Sequence, residues 1–246
     1  MSTGTLIPRQ AAELRAARVI VELGLKEHTR DYAPADLLAV QIVGSIRRHK
    51  KLIGDVDLLA LAPEVGASTP VLTPDMDPLF MVLNQACENP WIDPKAHEER
   101  TSLFGADKLT PAPPRAPMLR AVKGLKPGFR MASLVILGRV DEPEIPLQVF
   151  RSEAAHWGWG LARATGPGEL GEQLLAHWKH TQGIGREGKG SIDGRLVDAN
   201  GDVVSTPTET EFFRRLGINY CWPRERDELL ERIKAARARS GGGAWV

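Results

Sequence analysis

The sequence predicts an α+β fold, a mixed sheet packed with helices followed by a smaller α+β unit. Three observations predict it. Short apolar runs at residues 37–43, 52–61, 131–137 and 145–150 have the length of buried strands and alternate with helix-like stretches. The texture changes near residue 160, after which glycine and helical patterns dominate. Asn200-Gly201, flanked by short apolar runs, is the strongest two-residue hairpin signal in the chain.

The elements follow in order. Residues 8–23 read as a helix, with Pro8 suited to a first turn and Gly24 as a stop; Leu14, Ala17, Ile20 and Val21 fall mostly on one face. Strands are expected at 37–43, ending at Gly44, and at 52–61, interrupted early by Gly54. A helix is expected at 79–87, an irregular Pro- and charge-rich region at 90–117, and strands at 131–137 and 145–150. Residues 157–180 read as one or two helices separated by Thr165, Gly166 and Pro167, before a glycine-rich stretch. A hairpin over 195–204, helices over 206–216 and 225–236 and a flexible end at 240–246 complete the chain. Domains are accordingly expected at 1–160, with the N-terminal helix, and at 161–239.

Composition excludes several classes. The 246 residues carry 32 Lys plus Arg against 31 Asp plus Glu, so a wholesale basic wrapper of nucleic acid is out. Apolar residues make up 42%, an ordinary globular value. No apolar run approaches the roughly 18 residues that cross a bilayer. Cys87 and Cys221 lie far apart, without companions at zinc-finger spacing, and the first ten residues carry no apolar leader. A reduced, cytoplasmic setting without membrane attachment is expected.

The informative stretch runs from Gly44 through Ser45, Arg47 and Arg48 to Gly54, Asp55 and Asp57. A Gly-Ser turn that opens a helix after a strand aims backbone N–H groups at an anion. Ser45 adds a hydroxyl, and Arg48 adds a fork that suits phosphate oxygens. Asp55 and Asp57, two apart on an extended strand, project from one face while Val56 points to the core. Carboxylates that close repel unless a cation lies between them, and Mg²⁺ takes one or two carboxylates together with phosphate oxygens. Two such ions about 3.5–4 Å apart clamp the attacking and leaving oxygens of a phosphoryl transfer.

This conjunction resembles the nucleotidyltransferase signature of the family X DNA polymerases, the DNA polymerase beta type. Ile7-Pro8 and the following helix resemble the lead into that family's palm, and Trp157-Gly158 through Thr165-Gly166-Pro167 resembles its palm-to-thumb junction. Residues 208–220, with Pro223 and Arg226, resemble its closing thumb pattern. The resemblance implies a palm over 1–160 and a thumb over 161–239, without the lyase domain that many relatives carry ahead of the palm, which weakens a base-excision role in DNA repair. It implies Asp55 and Asp57 as metal ligands for Mg²⁺ (with Mn²⁺ as an alternative), and Ser45 and Arg48 on the triphosphate beside Gly44 and Gly54. Arg163, Ala164, Thr165 and Gly166 would then face the incoming nucleotide. The implied partners are a DNA primer-template and nucleoside triphosphates, acting on a monomer.

Two departures stand out. Counting back from Trp157-Gly158, the family's third carboxylate falls on Gln148, whose amide can touch a metal or a hydroxyl but cannot take a proton. Glu144 shares its strand parity but at about 3.3 Å per residue begins roughly 13 Å away. At Arg163-Ala164 the family carries an aromatic pair, so Ala164 implies a sugar pocket that admits ribonucleotides. Two other readings stay open: a catalytically inactive DNA-binding relic of the fold, and transfer to RNA, a protein or a small molecule. Arg115, Arg120, Lys123, Lys126 and Arg130 form either a phosphate-backbone surface or a solvated face. Trp178 with His177, Lys179 and His180 forms either a base platform or a packed core with exposed neighbours.

Overall fold

The computed structural model describes residues 5–26, 39–62, 77–87, 118–127, 130–138, 141–185 and 187–239. The protein is α+β: a five-strand mixed sheet packed with helices, and a small three-strand antiparallel sheet. Strand β1 (Ile7–Pro8) leads directly into α1 (Arg9–Glu22), and Pro8 stands at the N-cap. β2 (Val40–Ile42) is followed by the one-turn helix α2 (Gly44–Arg47), β3 (Leu52–Ile53) and β4 (Val56–Leu61). The run expected as one strand over 52–61 is two. β3 pairs with β1, and the chain turns at Gly54 and Asp55 before β4 enters the main sheet.

Helix α3 (Pro78–Gln85) starts at Asp77, whose carboxylate accepts from the Phe80 N–H at 3.1 Å. β5 (Leu119–Ala121), β6 (Met131–Ile136) and β7 (Ile145–Ser152) complete the sheet, in the order β2-β4-β7-β6-β5. β4 and β7 run parallel and the other three pairs antiparallel. The irregular region expected at 90–117, the first residues of the strand expected at 37–43 and the end at 240–246 lie outside the described residues.

Alternation gives the sheet two unlike faces. Val56, Leu58 and Ala60 with Leu147 and Val149 pack under α1 and α3, against Ala12, Ala16, Val19, Leu79 and Leu83. The opposite face carries Leu59 and Leu61, covered by Trp157 and Leu161 of α4 (Trp157–Thr165). Asp57 and Gln148 share that second face and are half-buried.

The face of α1 corrects the sequence expectation: Leu14, Ala17 and Val21 are exposed, whereas Ala12, Ala16, Val19 and Ile20 are buried. Small residues let the helix approach the sheet closely. Arg15 is buried with them, donates to the Pro143 carbonyl and meets Glu142, which also pairs with Arg18 at 3.5 Å.

After α4 come α5 (Gly168–Thr181), β8 (Ser191–Ile192), β9 (Arg195–Val197), β10 (Val203–Val204), α6 (Glu209–Arg215) and α7 (Arg226–Arg239). The expected hairpin forms as β9–β10 but not through a two-residue turn: residues 198–202 separate the strands, only Gly201 takes a positive φ, 86°, and the Asp198 carboxylate accepts from the Asn200 and Asp202 N–H groups. The two-residue turn is instead Asp193-Gly194, φ 54° and 81°, which joins β8 to β9. Trp159, Trp178, Phe212, Phe213, Leu216 and Leu230 fill the core of this region. Helix α4 serves both cores, with Trp157 and Leu161 toward the sheet and Trp159 and Ala162 toward the aromatic cluster. Gly158 makes this sharing possible. A Cβ there would stand 2.0 Å from the Thr208 carbonyl oxygen, and its N–H donates to the Thr206 carbonyl at 2.7 Å.

His177 and Trp178 belong to the core, not to a base platform: the indole N–H donates to the Val197 carbonyl at 2.7 Å, and His177 Nε2 lies 3.0 Å from the Leu216 carbonyl. The basic surface is reduced as well, because Arg120 pairs with Glu144 and Arg130 with Asp193. Both cysteines are free and buried, and burial pushes the Cys87 thiol up to about 11. No helix among the described residues is long and apolar enough to cross a membrane.

Candidate functional site

The site grows from the turn between β2 and α2. The Val43 N–H donates to the Asp57 carbonyl at 2.9 Å, which ties the end of β2 to the start of β4. Gly44 then takes φ 63°, a left-handed conformation that a side chain resists. Space demands glycine even more firmly. A Cβ at Gly44 would stand 1.9 Å from Asp57 Oδ2, so the carboxylate rests directly on the glycine backbone. Ser45 follows with its Oγ buried and, among the described residues, without a hydrogen-bond partner.

Asp57 stands level with Gln148 on the parallel neighbour β7, and Gln148 in turn stands level with Ser133 on β6. The chain thus sets an acid, an amide and a hydroxyl in a row across three strands. Burial pushes the Asp57 carboxyl up to about 7; the negative charge of Asp55 adds to the rise and Arg48 opposes it. A cation beside the Asp57 carboxylate would offset both the burial and the charge of Asp55.

Among the described residues no group of three or more His, Cys, Asp or Glu is placed to hold a metal ion. The donor set fits Mg²⁺ or Mn²⁺ only as a partial shell, two carboxylates completed by ligand phosphate and water, with the Gln148 amide adjacent.

The remaining expected residues fall in different places. Gly54 is roomy: a Cβ would meet only Leu6, at 3.4 Å. Arg163 is exposed, Ala164 packs against the cluster of Val43 and Leu59, and Gly166 ends α4. Thr165 is buried and reaches the signature directly, since its Oγ1 accepts from Arg47 Nη1 at 2.7 Å and its carbonyl from Arg48 Nη1 at 2.5 Å. Arg48 is not a free phosphate fork. Its Nε also faces Asp227 Oδ2 at 3.6 Å, and burial lowers its pKa against the pull of Asp227, Asp57 and Asp55.

A buried ion cluster that the sequence reading missed holds this arrangement. Glu209, at the first position of α6, accepts from Arg47 at 2.6 and 3.0 Å and from Arg226 at 2.5 Å. Arg226 is fully buried, also donates to the Leu161 and Ala162 carbonyls at 3.4 Å and lies over the Phe213 ring. The Tyr220 hydroxyl donates to Glu209 at 3.4 Å. Burial works against the Glu209 charge, but the hydrogen bonds and charges of Arg47 and Arg226 outweigh it and hold the carboxyl below its ordinary range.

The local signal at this point was a capping box. Thr208 accepts from the Glu211 N–H at 3.1 Å, and that pattern marks a helix start without showing that Glu209 turns inward. No protein-family model matches this chain, and no curated protein matches it.

Proposed function

We propose that this chain is a nucleotidyltransferase of the family X DNA polymerase type, adding nucleotides to a 3′-hydroxyl. In this reading the five-strand sheet with its helices is the palm, and the region after residue 160 is the thumb. One observation carries the proposal: the carboxylate of Asp57 rests on Gly44, at the mouth of a turn whose buried Ser45 hydroxyl has no hydrogen-bond partner among the described residues, and stands level with Gln148. A phosphate seated on that turn would meet the Ser45 hydroxyl and Arg48 on one side and the two acids on the other. Mg²⁺ or Mn²⁺ bound by Asp55 and Asp57 would supply the positive charge that attacking and leaving oxygens need. Gln148 can orient the hydroxyl through its amide, whereas removal of the proton falls to water or another base.

The test is primer extension on a gapped duplex with deoxy- and ribonucleoside triphosphates, with Mg²⁺ and then with Mn²⁺. Metal-dependent incorporation, abolished by Asp57→Asn, supports the reading. Gln148, an amide standing level with Asp57 where a third acid is expected, favours one second reading, a DNA-binding relic of the fold. Tight duplex binding without incorporation under either metal selects the relic, and transfer only to RNA, a protein or a small molecule would move the acceptor.

A further inference from the structure

The contact between α7 and the signature turn bears on how a ligand enters. Asp227, in the first turn of α7, lies 2.9 Å from Lys50 Nζ and 3.6 Å from Arg48 Nε. The two cations belong to the loop that follows α2, and Arg48 also senses the charges of Asp55 and Asp57. Thus one carboxylate of the chain faces both cations, while Arg48 Nη1 separately donates to the Thr165 carbonyl. Its pairing is shallow. The Asp227 side chain is 38% exposed and that of Lys50 47%, so this pair is weak and open to competition by a more highly charged anion, whereas Arg48 is only 12% exposed.

We infer that Asp227 is a built-in competitor of the nucleotide: its carboxylate holds Arg48 and Lys50 until the triphosphate displaces it, so Lys50 is a second phosphate-binding cation that the ligand-free chain keeps masked. The inference rests on the nucleotidyltransferase reading above. It deepens that reading by adding Lys50 to the triphosphate site and a self-occupied state to its cycle. Ser45 is not masked in this way, since among the described residues its hydroxyl has no hydrogen-bond partner. The turn is therefore half prepared and half closed: the Ser45 hydroxyl is unengaged among the described residues, while Arg48 and Lys50 both face Asp227.

Equilibrium binding of inorganic tripolyphosphate, and of dATP with Mg²⁺, to the full chain tests this. Asp227→Asn should tighten both by about 2- to 10-fold, the range expected when one exposed and one partly buried ion pair stop competing. Lys50→Ala should have little effect alone but abolish most of the gain in the Asp227→Asn background. A purely structural role for Asp227 predicts a lowered melting temperature with unchanged affinity. Unchanged or weaker tripolyphosphate binding in folded Asp227→Asn overturns the inference and leaves the nucleotidyltransferase reading standing if wild type binds. Binding by Asp227→Asn where wild type shows none supports it in its strongest form. If neither binds tripolyphosphate, the proposed site fails and the inference with it.

Discussion

Replacing Asp57 with Asn separates a metal-binding carboxylate from a structural one. Without a divalent ion, burial and the Asp55 charge raise the Asp57 carboxyl from an ordinary 3.8 to about 7. The native state then holds this proton more firmly than the unfolded chain does. Stability is therefore lost as pH rises from the unfolded value toward 7, and the cost is complete above that. Three units at about 1.36 kcal/mol each come to about 4 kcal/mol. Asn removes the charge but still buries an amide, which costs back about 1–3 kcal/mol, so the net gain at alkaline pH is about 1–3 kcal/mol. For a chain of this size each kcal/mol moves the midpoint by about 2–4 °C.

The assay is thermal melting in chelator at acid and at mildly alkaline pH, repeated with millimolar Mg²⁺ or Mn²⁺. Asp57→Asn should melt higher than wild type in chelator at alkaline pH, lose that advantage at acid pH, and show none of the metal-induced rise expected of wild type. A variant that melts lower than wild type at alkaline pH in chelator, or that keeps the metal-induced rise, would refute the reasoning.

Three further outcomes are expected. Gln148→Asp should add a third carboxylate level with Asp57 and raise the transfer rate by up to about 10²–10⁴-fold, read by primer extension; a fall from an already fast wild type would place the missing base elsewhere. Gly44→Ala meets a positive φ that costs about 1–2 kcal/mol and a Cβ that displaces Asp57, so melting should drop and metal-dependent stabilisation vanish together. Glu209→Ala leaves Arg47 and Arg226 buried without their shared acid and should cost about 3–5 kcal/mol by urea unfolding, with Glu209→Asp in between.

Sequence alone reached those features whose cause is local. The strand alternation around Asp57 put Val56 in the core, a hairpin does join β9 to β10 around Gly201, though through five residues and not two, and residues 44–57 held the turn, the hydroxyl and both acids in one short stretch. Each depends on neighbours within a few positions, where backbone geometry and side-chain parity are nearly fixed. The tertiary structure decided the rest. The buried face of α1 carries Ala12, Arg15, Ala16, Val19 and Ile20, set by the sheet and by Glu142 and Pro143, which Arg15 meets, while Leu14 and Val21 stay outside. Strands as short as β1 and β5 bury too few residues to write a period into the sequence, and they exist through their partners β3 and β6. Gln148 takes a place beside Asp57 only because β7 returns parallel to β4. The engagement of Arg48 with Asp227, and the bonding of Glu209 to Arg47 across 162 positions, are pairings between distant segments. Charges that meet only after the chain has folded leave no periodic trace along it. Their partners are chosen by which surfaces packing brings together.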